Sequence, residues 1–368
     1  MMKIQVKFIQ FLVIVAIFMF LPIVSPVYAL TDEETFRNEY NKMWGEYRKD
    51  IINSFNNLER KFKNINTDNI DEYIEKAENG DAETQFLLYI YYLNKDHQDL
   101  NKSVEWLKKR LTNQNDSIKE HWLQLLFSYI AINRDDIKSL LLQQERTMIK
   151  EYIENNMYVC LILGDEYFAS PEKESAYGHD NQKAMYFFKK AAEHGHKLGA
   201  FAVAGMYECG IGVEKDYERA VYWYKKAYEP KETNYSSFHI AEIYFNGKGN
   251  VAKDYKSAAN WYLKAGEYSN AKAQYRLAMM YFKGIGVEED YLQGLQWLKY
   301  SADNGYAEAQ YSYAVILLNS SEYYLKEDDI MYYLRMASKQ GHAEAKELLR
   351  KTNKYQRGIN VIKDRSDF

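Results

Sequence analysis

The chain has 368 residues, 48 of them basic and 52 acidic, for a formal net charge of -4. That near balance argues against a nucleic-acid-binding protein, which needs a concentrated basic surface. A hydrophobic share of 47% with only 4 Pro argues against a disordered chain, and two cysteines, Cys160 and Cys209, exclude a disulfide framework.

In chain order, Lys3 and Lys7 precede an apolar run from Phe8 to Ile23, followed by Pro26-Val27-Tyr28-Ala29. This is the pattern of a secretory signal, with Val27 and Ala29 at the small-residue positions before a cut and the mature chain starting at Leu30. The alternative is an uncleaved anchor, because the run approaches the lower length limit of a membrane span. Residues 31–79 predict two leading helices. Residues 81–109 predict a helical hairpin carrying Tyr92 and Trp106, and residues 117–155 have the length of one further unit.

Three segments, 205–226, 242–264 and 279–299, are near-copies of one another. Tyr207, Tyr244 and Tyr281 recur at intervals of 37, and Trp223, Trp261 and Trp297 at 38 and 36, so one extra residue sits in the turn of the middle copy. Each copy holds two stretches of helical period. Small residues recur in the first stretch at Gly164, Ala204, Ala241, Ala278 and Ala314, and in the second at Ala184, Ala220, Ala258 and Gly294. Large side chains, Trp261 among them, are expected to pack over these positions. Tyr207, Tyr244 and Tyr281 are expected in the repeat core. A Gly-x-Gly between the stretches suits a tight turn, and Asp216, Asp254 and Asp290 stand where an N-cap is needed. The expected unit is an αα-hairpin.

The pattern small-x-x-Tyr-x-x-Gly-x-Gly-Val-x-x-Asp-x-x-x-Ala-x-x-Trp-x-x-Lys-Ala resembles the Sel-one-like repeat (SLR), a cousin of the tetratricopeptide repeat. Residues 164–195 fit with an insertion near Pro171, and 307–341 fit without the glycine turn. The resemblance implies an all-α, right-handed α/α solenoid. The predicted organisation is a signal over 1–29, divergent helical repeats over 30–156, an SLR array with a capping helix at 343–351 over 157–351, and a polar tail over 352–368.

Catalytic chemistry is not visible. The seven histidines lack the i, i+4 pairing of a helical zinc site, and His194-Gly195-His196 falls at an inter-repeat turn. Gly247-Lys248-Gly249 follows a helix rather than a strand, so it is a repeat turn and not a nucleotide cradle. Cys160 and Cys209 are offset by about 13 Å along neighbouring helices, beyond disulfide reach. No cofactor or metal is expected. The family resemblance implies a non-enzymatic interaction scaffold or adaptor, and the signal places it in a bacterial periplasm or outside the cell. The alternatives are an immunity protein neutralising a toxin such as a lipase and, more remotely, a β-lactam-binding or hydrolysing repeat protein. The paired cysteines of the latter are absent.

The partner is expected to be another protein. On the first helix of each repeat, the positions 6 and 2 before the Tyr and 1 after it share one face. They form an apolar row that includes Phe168, Phe245, Met279, Phe282 and Tyr311, the candidate partner-binding residues. Either neighbouring helices bury this row or it lines a groove, as the analogy with tetratricopeptide repeats suggests.

Overall fold

The computed structural model describes residues 32–93, 99–112, 140–141, 143–168, 180–228, 235–319 and 327–351. The expected signal, most of the insertion near Pro171 and the polar tail lie outside them. The described residues form helices and turns, with no strand among them. They divide into two compact units, Met1–Lys215 and Asp216–Phe368.

The first unit holds α1 (Asp32–Lys63), α2 (Ile70–Glu78), α3 (Ala82–Leu93), α4 (Leu100–Thr112), α5 (Gln143–Glu154), α6 (Met157–Phe168), α7 (Asn181–Glu193) and α8 (Lys197–Cys209). The second holds α9 (Tyr217–Ala227), α10 (Tyr235–Asn246), α11 (Tyr255–Glu267), α12 (Ala271–Lys283), α13 (Tyr291–Asp303), α14 (Ala307–Leu318), α15 (Glu327–Lys339) and a last helix, α16, over 343–351. Consecutive helices pack on each other within each unit: α6 on α7 and α7 on α8 in the first, and each helix from α9 to α15 on the next in the second. This is an all-α solenoid, in which each hairpin buries its apolar face against its neighbours.

The turns form as their residues dictate. The carboxylates of Asp216, Asp254 and Asp290 accept from the backbone N–H groups of Arg219, Ser257 and Gln293, capping α9, α11 and α13. Gly284 ends α12 at φ 61°, a conformation that disfavours any side chain. Gly286 has a second reason to be glycine: a Cβ there would lie 2.3 Å from the Tyr255 carbonyl oxygen, so the bare backbone lets one repeat's turn abut the preceding repeat's second helix.

The small positions are core as expected: Ala241, Ala258, Ala278 and Ala314 are fully buried. Of the large residues expected over them, Phe187 and Trp223 are buried at 8% and 7%, while Trp261 and Trp297 pack against the core from its edge. Trp261 is only half-buried, flanked edge-to-face by Tyr228 and with Lys264 Nζ 4.1 Å from its ring centre, while its neighbour Tyr262 is fully buried. Phe188, Tyr224 and Leu298, each one residue after the aromatic of its repeat signature, are likewise fully buried. Adjacent helical residues point about 100° apart, so the residue after the signature aromatic fills the interior, while the aromatic itself lies shallower, buried as Phe187 and Trp223 and half-buried as Trp261 and Trp297. Tyr207, Tyr244 and Tyr281 also turn out half-buried rather than core. Lys225 Nζ, for example, lies within 3.4 Å of the Tyr244 hydroxyl.

Between repeats of the second unit runs a polar ladder without an obvious sequence signal. Gln274 Nε2 donates to the Gly266 carbonyl at 2.8 Å and accepts from Asn304 at 2.9 Å; Gln310 Nε2 donates to the Ala302 carbonyl at 3.1 Å and accepts from Gln340 at 3.0 Å. Both glutamines are buried, and these bonds occupy both ends of their amides.

Candidate interaction surface

The apolar row on the first helices has two fates. In the first unit it is covered by α1, whose Phe36, Tyr40 and Trp44 lie four residues apart and so on one stripe, all at most 1% exposed. The Phe36 ring sits 6.0 Å from Phe168 and 5.8 Å from Phe201, and Tyr40 sits 5.7 Å from Phe168 and 5.6 Å from Phe188. Gly205 makes this approach possible, since a Cβ there would fall 2.0 Å from the Phe36 ring. Arg37 lies over the Phe168 ring at 4.1 Å and donates from Nη1 to the Phe168 carbonyl at 3.0 Å. Phe168 is thereby 4% exposed. Its face is occupied by α1 of the same chain.

In the second unit the same row is partly exposed. Phe238, Phe245, Tyr275, Met279, Phe282, Tyr311, Val315 and Leu318 are all half-buried, and all but Val315 lean on the cores beneath them. Phe245 packs 5.3 Å from Tyr255 and 6.2 Å from Tyr262, Phe282 lies over Gly294 and 5.4 Å from Tyr291, and Tyr311 packs 4.6 Å from the His342 ring. The structure thus brings Phe245, Met279, Phe282 and Tyr311 onto one partly exposed row and leaves Phe168 under α1.

One charged group interrupts this row. Glu242 accepts from the Tyr262 hydroxyl at 2.6 Å and from Arg276 Nε at 2.9 Å. Burial, with the charge of Glu242 beside it, pushes the Tyr262 pKa up, so the hydroxyl stays a donor. Sequence reasoning passed over this cluster. Its only signal was an acid in an otherwise apolar row.

The remaining chemistry-bearing side chains are structural. His194 Nε2 meets the Glu154 carbonyl at 3.1 Å, whereas His196 is buried against Tyr158, and burial lowers its pKa to about 4. Among the described residues no cluster of His, Cys, Asp or Glu could hold a metal ion. Both cysteines are free thiols. Cys160 donates to the Ile153 carbonyl at 3.2 Å, and burial pushes its pKa up to about 12, far from a reactive thiolate. No described helix is long and apolar enough to cross a membrane.

Stacked αα-hairpins with a periodic glycine turn, an aspartate cap and an open apolar row define an α-solenoid of the interaction-module class. The Sel1 repeat family model matches residues 173–196, 198–229, 235–267, 271–306 and 307–342. The chain therefore carries five Sel1 repeats, and proteins built of this repeat generally serve as protein-interaction scaffolds. No curated protein sequence matches it significantly. Among solved structures it is similar to a protective antigen of uropathogenic Escherichia coli displaying an SLR fold, with TM-score 0.52 and 24% identity over 78% of this chain. The match spans 59% of that antigen's length. It is also similar to a Sel1 repeat protein from Oxalobacter formigenes, with TM-score 0.43 and 22% identity over 61% of this chain and 86% of that one.

Proposed function

We propose that this chain is an exported, non-catalytic scaffold of the bacterial envelope that captures another protein on the first-helix row of its second unit. One observation carries the choice of face. Phe245, Met279, Phe282 and Tyr311 are partly exposed on a row whose counterpart in the first unit is covered by a helix. Large apolar side chains held in line at a surface are the usual anchors of protein interfaces. Export rests on the pattern of Lys3, Lys7 and the apolar run before Ala29.

Two measurements test this. Phe245→Ala with Phe282→Ala should lose the partner that the wild-type chain retains from an envelope extract while keeping its helical circular dichroism. Retention at wild-type affinity removes this face from the interface. N-terminal sequencing of exported protein should give Leu30, and recovery of the chain intact from Met1 in the membrane fraction overturns the cleaved-signal reading.

A further inference from the structure

The way α1 is seated in the first unit describes the kind of ligand the second unit can take. Three features define the α1 seat: the ring of Phe168, an acid one turn before it at Asp165, and the buried Phe188 behind it. Phe168 and Phe188 lie 5.8 Å apart. The repeat alignment places Phe245, Glu242 and Tyr262 at the same three positions, with Phe245 and Tyr262 6.2 Å apart. The next repeat, with Phe282, has Met279 in place of the acid and Leu298 in place of the aromatic. The equivalence is therefore strongest at Phe245.

The seat at Phe245 is more open than that at Phe168: Phe245 is partly exposed and Phe168 is 4% exposed. It is also shallower. Phe36 sinks into a notch made by Gly205, and the corresponding residue of the second unit, Met279, fills that notch with a flexible side chain. A ring as large as that of Phe36 does not fit there at the same depth, and a smaller aliphatic side chain needs less of it.

We infer that the seat formed by Phe245, Glu242, Tyr262, Tyr275 and Met279 binds an amphipathic helix of a partner protein. That helix lays an arginine over the Phe245 ring and sets apolar side chains four residues apart against the ring row, with an aliphatic one facing Met279. The pattern is that of Phe36-Arg37-x-x-Tyr40-x-x-x-Trp44 with its first aromatic reduced in size. Arginine suits the position because its planar cation stacks on the ring and can donate to the carbonyl behind it, as Arg37 does at Phe168.

This inference rests on the interface reading above, and its probe is the chain's own helix. A fluorescent peptide of residues 32–45 carrying Phe36→Leu is titrated against the full chain by anisotropy. Saturable binding is expected, weakened about tenfold by Arg37→Gln in the peptide and by at least that by Phe245→Leu in the protein. It should be unchanged by Phe201→Leu, which lies only in the first-unit seat. Phe245→Leu keeps an apolar side chain at a partly exposed site, and the peptide substitution does not touch the protein's folding. Several results overturn the inference: no binding, binding that ignores Arg37→Gln and Phe245→Leu, binding lost only in Phe201→Leu, or a chain that pairs with its own copy through Phe245. If the peptide fails while Phe245→Ala with Phe282→Ala still loses the envelope partner, the helix pattern falls and the interface stands. If that variant keeps the partner, the interface itself falls.

Discussion

The docking of α1 on the first unit makes the sign of a glycine-to-alanine substitution depend on a residue far away in sequence. Gly205 lies inside α8, where alanine is favoured over glycine by about 1 kcal/mol from helix propensity alone. A Cβ at 205 would, however, sit 2.0, 2.2 and 2.4 Å from three carbons of the Phe36 ring. Overpacking of this kind costs about 1–3 kcal/mol, so Gly205→Ala should be net destabilising by up to about 2 kcal/mol. Phe36→Ala, which truncates a ring 1% exposed, should cost about 3–5 kcal/mol. In that background the clash is gone, and Gly205→Ala should now stabilise by about 1 kcal/mol. The assay is urea denaturation of the four chains of the cycle, with native-state hydrogen exchange at residues 36–44 to read the release of α1 directly. A stabilising Gly205→Ala in the wild-type background would show that Phe36 does not occupy this notch, and the reasoning built on the α1 seat would fail with it.

Three further outcomes follow from the packing. Ser269 is the only described non-glycine residue at positive φ, 62°, at a joint where Gly195, Gly305 and Gly341 stand in other repeats, so Ser269→Gly should raise stability by about 0.5–1 kcal/mol in thermal or urea unfolding; a loss would mean the turn relaxes differently. Tyr262→Ala should cost about 3–5 kcal/mol and Trp261→Ala at least about 1 kcal/mol less, because the first is fully buried and the second lies on the rim; the reverse order in urea midpoints would restore the Trp as the core residue. His196 is a base whose folded pKa is lowered from 6.5 to about 4 by burial. The unfolded chain therefore binds more protons between those values, and its stabilising share, at most about 3 kcal/mol, is present above pH 6.5 and lost as pH falls toward 4; His196→Gln should flatten that part of the urea-midpoint profile, and an unchanged slope would assign it to other groups.

Much of the fold was legible because its determinants are local. An aspartate cap needs only the N–H groups two or three residues on, and a glycine at a helix end needs only its own backbone angle, so Asp216, Asp254, Asp290 and Gly284 could be placed from spacing alone. Trp261, expected in the interior, packs against the core from its edge for a geometric reason. Trp261 and Tyr262 are both large and adjacent, and a period of 3.6 averaged over a short helix does not fix which of two neighbours points inward. The Gln274 and Gln310 ladder was equally invisible, since a glutamine on a helix carries no sign of whether its amide meets water or a neighbour's carbonyl.

The candidate site poses a different problem, because one row of residues has two fates. Periodicity shows that positions share a face; it says nothing about what lies over that face. In the first unit the cover comes from Phe36 and Tyr40, about 130 residues before the Phe168 they bury. The stripe of Phe36, Tyr40 and Trp44 is visible in the sequence as three aromatics at a helical interval, and Gly205 is visible as the one residue without a side chain in an otherwise filled row, yet neither points to the other. Only their juxtaposition gives the glycine a reason, since its helix would be more stable with alanine. In the second unit the position of Gly205 is taken by Glu242, Met279 and Val315 in successive repeats. None of these leaves a notch for a phenylalanine ring as deep as the one α1 fills. The difference in side-chain volume at this position gives the second-unit row a shape to which Phe36, as it stands in α1, is the wrong fit.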